Sequence, residues 1–135
     1  MNESEFFKEY CTFVNSVTSE PSRDDEVLRA KITELSELLN GNYARMDTAV
    51  AGIAGEAGEI ADLWKKLKFH GKPFNEENRS NMIKELGDMF WYLAQASMAL
   101  GVPMEEIIRG NVEKLKQRHP HGFSGAYMDR KKETA

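Results

Sequence analysis

Two pairs of acids are the residues of this chain best suited to chemistry. Glu56 and Glu59 stand three apart in GIAGEAGEIADLWKKLKFHGK, residues 52–72, and Glu85 and Asp88 stand three apart in KELGDMFWYL. Three-residue spacing puts each pair on one face of a helix. Glu56 and Asp88 are equidistant from Lys72 along the chain, and so are Glu59 and Glu85. If the two segments form an antiparallel hairpin turning at Lys72, all four carboxylates meet at one height. Like charges at this spacing cost roughly 0.2–0.5 kcal/mol per pair on a hydrated helix. The cost grows as apolar neighbours exclude water.

Local relief is poor. Four residues beyond Glu56, Glu59 and Glu85 come Ile60, Leu63 and Met89, and only Asp88 has a basic residue, Lys84, within a turn. A single Glu-x-x-Glu is ordinarily a solvated face, but two at matching heights call for a cation. An all-oxygen set suits a hard divalent ion, Mg²⁺ or alternatively Mn²⁺. A di-iron centre would need Glu-x-x-His, and none of His70, His119 and His121 follows a carboxylate by three. Gly52, Gly55 and Gly58 accompany the first pair. Each costs roughly 1 kcal/mol against Ala inside a helix, which implies close helix packing or close approach of a ligand.

A carboxylate-held Mg²⁺ typically meets substrate phosphates, and positive charge is at hand. Lys65, Lys66, Lys68 and Lys72 cluster near the turn, and Asn111, Lys114 and Arg118 share one face of a later helix. Tyr92 follows Asp88 by four, so it faces the same way.

The elements that must position these residues are helical throughout. Phe6, Phe7, Tyr10, Phe13, Val14 and Val17 mark one apolar face over 4–16, with Cys11 as a small apolar filler. Ser22 and Asp25 resemble a capping box opening a second helix, which Asn40-Gly41-Asn42 ends. A third helix is predicted over 43–69 with an inward stripe of Val50, Ile53, Ala57, Ile60, Trp64 and Leu67. Asn75 caps a fourth helix that runs to Leu100 through Ile83, Leu86, Phe90, Leu93 and Ser97. Gly101 stops it and Pro103 starts a fifth helix, with Met104, Ile107, Ile108, Val112 and Leu115 inward. Pro120-His121-Gly122 ends that helix, and a flexible tail is expected over 124–135. The expected fold is all-α: an antiparallel helical bundle with a long central hairpin, one domain over 1–135.

The bulk numbers agree with a soluble globular protein. A net charge of −4 opposes binding of nucleic-acid polymers, which needs a surplus of Lys and Arg. No apolar run is long enough for a membrane span, and the acidic start MNESEFFKEY is unlike a secretory signal. One cysteine excludes an internal disulfide, so a cytoplasmic address is expected.

GEAGEIAD, ELGDMFWYL and NVEKLKQRHPHGF together resemble the MazG-type all-α nucleoside triphosphate pyrophosphohydrolases over residues 43–123. The family pattern of Glu-x-x-Glu followed by Glu-x-x-Asp maps onto Glu56, Glu59, Glu85 and Asp88. The resemblance implies Mg²⁺-dependent hydrolysis between the α- and β-phosphates of a (deoxy)nucleoside triphosphate, by an oligomer, a homodimer or homotetramer. It implies metal ligation by the four acids, catalysis by Glu56 or Glu59, and substrate contacts from Tyr92, Asn111, Lys114 and Arg118. Lys68 joins these as a candidate phosphate contact. This chain has Gly55 where many members double the first Glu, and His119 where many have Tyr before the proline. The alternatives are a dedicated dUTP, dCTP or phosphoribosyl-ATP pyrophosphatase, or a non-enzymatic helical module with an acidic interaction patch.

Overall fold

Helices α1, α2 and α4 each begin where a side chain satisfies orphan N–H groups of the first turn. In the computed structural model, which describes residues 2–123, helix α1 spans Glu3–Ser16. Asn2 Oδ1 accepts from the Glu5 N–H at 2.9 Å, and the Glu5 carboxylate accepts from the Asn2 N–H at 3.0 Å, a reciprocal cap. The expected Ser22–Asp25 box does not form. Glu20–Ser22 is a 3-10 turn whose Ser22 hydroxyl is engaged with Ser19 Oγ at 2.8 Å. Asp24 caps α2 (Asp25–Leu38) instead, accepting from the N–H groups of Glu26 and Val27. The reason is local: the Ser22 hydroxyl is already used, and an ionised carboxylate is the stronger acceptor. Asn40 and Gly41, both at positive φ, end the helix as expected.

The chain divides into two compact units, Met1–Ala44 and Arg45–Ala135. The second unit carries the carboxylates. Its helices are α3 (Tyr43–Phe69), α4 (Glu76–Leu100) and α5 (Met104–Arg118). Gly71 turns the chain after α3 at φ +69°, and the Lys72 N–H closes back onto the Lys66 carbonyl at 3.1 Å. Asn75 accepts from the Asn78 N–H at 2.9 Å, and the buried Asn78 side chain donates to the Pro73 carbonyl at 2.6 Å. The connector is therefore tied down at both ends. Gly101, left-handed at φ +66°, ends α4, and Pro103 stands one residue ahead of α5.

Helices α3 and α4 pair antiparallel. Gly52 lies against the Tyr92 ring so closely that an added Cβ would fall 2.1 Å from it. One turn further from the connector, Arg45 donates to Gln95 Oε1 at 2.6 Å. Gly52 and Tyr92 are equidistant from Lys72, the register that levels the acids. The five helices make the described residues all-α, with no strand among them beyond an isolated bridge at Pro120–Gly122. The expected tail, 124–135, lies outside the described residues.

Burial departs from the apolar stripes. Among the described residues the buried side chains are small or polar: Ala49, Ala99, Ser97 and Asn78, with Leu63 as the larger exception. Val50 and Trp64 on α3, Ile83, Leu86 and Phe90 on α4, and Ile107, Ile108, Val112 and Leu115 on α5 are exposed. On α1, Phe6, Phe7, Tyr10 and Phe13 are exposed too, and Cys11 is exposed rather than a filler. Ile53, Ile60 and Leu67 of the α3 stripe are half-buried and Ser97 of the α4 stripe is buried, so the stripes are covered only in part.

Candidate metal and phosphate site

Glu56 and Glu59 reach the site from α3 and Glu85 from α4. One carboxylate oxygen from each lies within 4.8 Å of the others. Asp88, the fourth acid, stands outside that trio but close enough for its charge to act on Glu59 and Glu85. The hairpin register thus assembles three acids tightly and holds the fourth beside them.

Crowding shows in the acidities. Glu59 is raised above the ordinary glutamate value, chiefly by the Glu85 charge and a hydrogen bond with that carboxyl, then by burial and Asp88. Glu85 is raised chiefly by its carboxyl hydrogen bond with Glu56 and by burial, while its bond with Glu59 pulls the other way. Glu56 Oε2 is buried with no hydrogen-bond partner. The ion pairs seen among the described residues engage other acids, namely Glu26, Glu34, Asp62, Glu105 and Glu113. An orphaned buried oxygen and mutually repelling carboxylates fit a hard divalent cation.

Two of the three acids border a cleft of about 550 Å³. Glu59 and Glu85 line it together with Asp62, Lys66, Lys72 and Asn81. Lys66 Nζ sits 2.6 Å from Asp62, and Lys65 is 3.1 Å from the same carboxylate. These contacts hold the Asp62 carboxyl below the ordinary aspartate value, the Lys66 hydrogen bond most of all. The glycines divide by role. Gly52 is consumed by contact with Tyr92, whereas Gly55 and Gly58 line the cleft with open space where a Cβ would stand.

Among the expected substrate residues, Tyr92 is half-buried, packed on Gly52 and edge-on to Trp91 at 4.9 Å between ring centres. Asn111 and Lys114 are exposed on α5, and Arg118 is its last residue. Lys68 Nζ lies 5.0 Å over the Phe69 ring and borders an apolar hollow with Trp64, Leu67 and Phe74. None of these five is among the described residues lining the carboxylate cleft. Asp62 and Asn81 do line it, and sequence reasoning passed over them. The signal was present: Asp62 follows Glu59 by three and Asn81 precedes Glu85 by four, each on its acid's helical face.

The chain is 40% identical over 72 residues to the Gene 37 protein of Mycobacterium phage L5, a match covering 53% of this chain and 63% of that relative. The chain thus spans under two thirds of that relative's length. No solved structure matches it significantly. The model of the MazG nucleotide pyrophosphohydrolase domain matches residues 45–123, more than half of the chain, starting at the first residue of the second compact unit. With its Glu-x-x-Glu and Glu-x-x-Asp carried on the two arms of one helical hairpin, the chain belongs to the MazG nucleotide pyrophosphohydrolase domain family.

Proposed function

We propose that this protein hydrolyses a (deoxy)nucleoside triphosphate between its α- and β-phosphates, releasing the monophosphate and pyrophosphate with the help of Mg²⁺ or Mn²⁺. The observation that carries the reading is the convergence of Glu56, Glu59 and Glu85 oxygens within 4.8 Å, beside a cleft that also holds lysines. Glu56, Glu59, Glu85 and Asp88 are the assigned metal ligands. A divalent cation held there would supply charge neutralisation at the phosphoryl oxygens and acidify a water.

The chain's own residues do the rest. Glu59 lines the cleft beside Glu85, so it suits the task of taking the proton from the attacking water. Glu56, whose Oε2 is shielded from solvent, is the other candidate for that proton. Tyr92 is assigned to the sugar or base. Asn111, Lys114, Arg118 and Lys68 complete the substrate contacts on this reading, and they reach substrate once ligand or a second chain draws their elements in. The exposed apolar stripes of α1, α3, α4 and α5 support assembly as a homodimer or homotetramer. No helix among the described residues is long and apolar enough to cross a membrane, and a nucleotide substrate with one unpaired Cys11 suits the cytoplasm.

Product analysis tests the reading. Each common (d)NTP, and phosphoribosyl-ATP, is incubated with the protein and Mg²⁺ or Mn²⁺, and the products are resolved. Monophosphate and pyrophosphate in equal amounts are expected, and the preferred substrate separates a broad enzyme from a dedicated dUTP, dCTP or phosphoribosyl-ATP hydrolase. Release of orthophosphate alone, or no turnover with any of them, overturns it.

A further inference from the structure

The site has a direction. Along the hairpin, Gly52 and Tyr92 stand on one side of the acids, and Asp62, Lys66, Asn81 and the connector stand on the other. A triphosphate whose sugar lies toward Tyr92 and whose scissile phosphate sits at Glu59 and Glu85 must run its outer phosphates toward the connector. That end of the cleft holds two lysines, and they are not equivalent. Lys66 is bound to Asp62, which already balances its charge. Lys72 is half-buried in the cleft wall, and among the described residues no carboxylate forms an ion pair with it.

Its backbone is also held. The Lys72 N–H is bonded to the Lys66 carbonyl at 3.1 Å, and the next residue's carbonyl accepts from buried Asn78 at 2.6 Å. A cation on so constrained a turn is positioned before ligand arrives, which reduces the ordering cost of binding. We propose that Lys72 binds the terminal phosphate of the substrate, so that the connector between α3 and α4 reads the length of the phosphate chain. The assignment rests on the pyrophosphohydrolase reading above and adds an orientation to it: base toward Tyr92, terminal phosphate toward the turn.

The terminal phosphate is remote from the bond that breaks, so a contact there holds substrate and transition state alike and acts on KM rather than kcat. The test is steady-state kinetics of the wild type, Lys72→Ala and Lys72→Arg with the preferred triphosphate and Mg²⁺. Inhibition by the matching nucleoside diphosphate is measured alongside. Lys72→Ala should raise KM for the triphosphate by roughly tenfold, as expected for loss of one charge-assisted hydrogen bond. It should leave kcat within about threefold and diphosphate inhibition nearly unchanged, and Lys72→Arg should restore most of the KM.

An unchanged KM overturns the assignment. So does an equal loss for diphosphate and triphosphate, which would make Lys72 a general source of positive field. Both results leave the pyrophosphohydrolase reading standing. A wild type that hydrolyses no triphosphate removes that reading, and this assignment with it.

Discussion

Gly52→Ala tests the register on which the whole site depends. A methyl group at Gly52 would stand 2.1 Å from Tyr92 Cδ1 and Cε1 and 2.4 Å from Cγ. Carbon atoms settle at about 3.5–4.0 Å, so the ring must retreat by about 1.5 Å or the helices must part. Overpacking of this kind costs typically about 1–3 kcal/mol. Against it stands the helical preference of Ala over Gly, worth roughly 1 kcal/mol. The net expectation is destabilisation by about 0–2 kcal/mol at a site where a helix scale alone predicts a gain. A double-mutant cycle sharpens the sign. With Tyr92→Ala in the background the clash is gone, and Gly52→Ala should then stabilise the protein. The coupling between the two sites should reach about 1–3 kcal/mol, well above the error of denaturant unfolding. If Gly52→Ala stabilises equally with and without Tyr92, the two helices do not meet in this register and the acids are not level.

Glu59→Gln and Asp88→Asn should each abolish turnover while leaving the helical circular dichroism intact; retained activity in both removes the metal-site assignment. The pH response follows from signs. Glu59 and Glu85 bind protons more tightly in the folded chain than in the unfolded one. Without metal, their contribution to stability therefore falls as pH rises from the ordinary glutamate value through the raised one. Asp62 is shifted the other way, so the stability it adds is lost only as pH falls through its lowered value. Thermal unfolding across the weakly acidic range, without and with Mg²⁺, should show the first loss and its reversal by the cation. At 100 times its dissociation constant the ion adds roughly 2.7 kcal/mol. An unfolding temperature indifferent to Mg²⁺ and Mn²⁺ at neutral pH would remove the cation from the account.

Much of this arrangement was legible in the residues, because its signals are short-range. Helix limits at Tyr43, Phe69, Asn75 and Gly101 follow from caps and turn residues that act within a few positions. The meeting of Glu56, Glu59 and Glu85 follows from a connector short enough to allow one hairpin register, while Asp88, expected at the same height, stands outside that trio. What periodicity did not reveal is which face the hairpin closes on. Trp64 and Phe90, 55% and 60% exposed, belong to stripes that read as core. A helical stripe records that a face needs cover, and it is silent on whether the cover comes from the same chain. The roles of the glycines were likewise undecided, since Gly52, Gly55 and Gly58 look alike in sequence. The difference appears only when Tyr92 arrives from α4 against one of them and leaves the other two facing open space.

That exposure bears on how the site is held together. The hairpin brings Gly52 against Tyr92 and gathers three carboxylates that repel one another. Leu63 is buried, Ile53, Ile60 and Leu67 are half-buried, and Trp64 and Phe90 are exposed. Apolar area worth about 25 cal/mol per Å² when removed from water is therefore still open on these helices. Under the proposed function two events would complete the fold and the site together: a bound cation would relieve the inner repulsion, and a second copy of the chain would cover Trp64, Phe90 and their neighbours. Each should then strengthen the other, because both favour the same closed hairpin. The measurable consequence is linkage: Mg²⁺ should tighten self-association, and dilution below the dissociation constant of the assembly should weaken Mg²⁺ binding by the same factor.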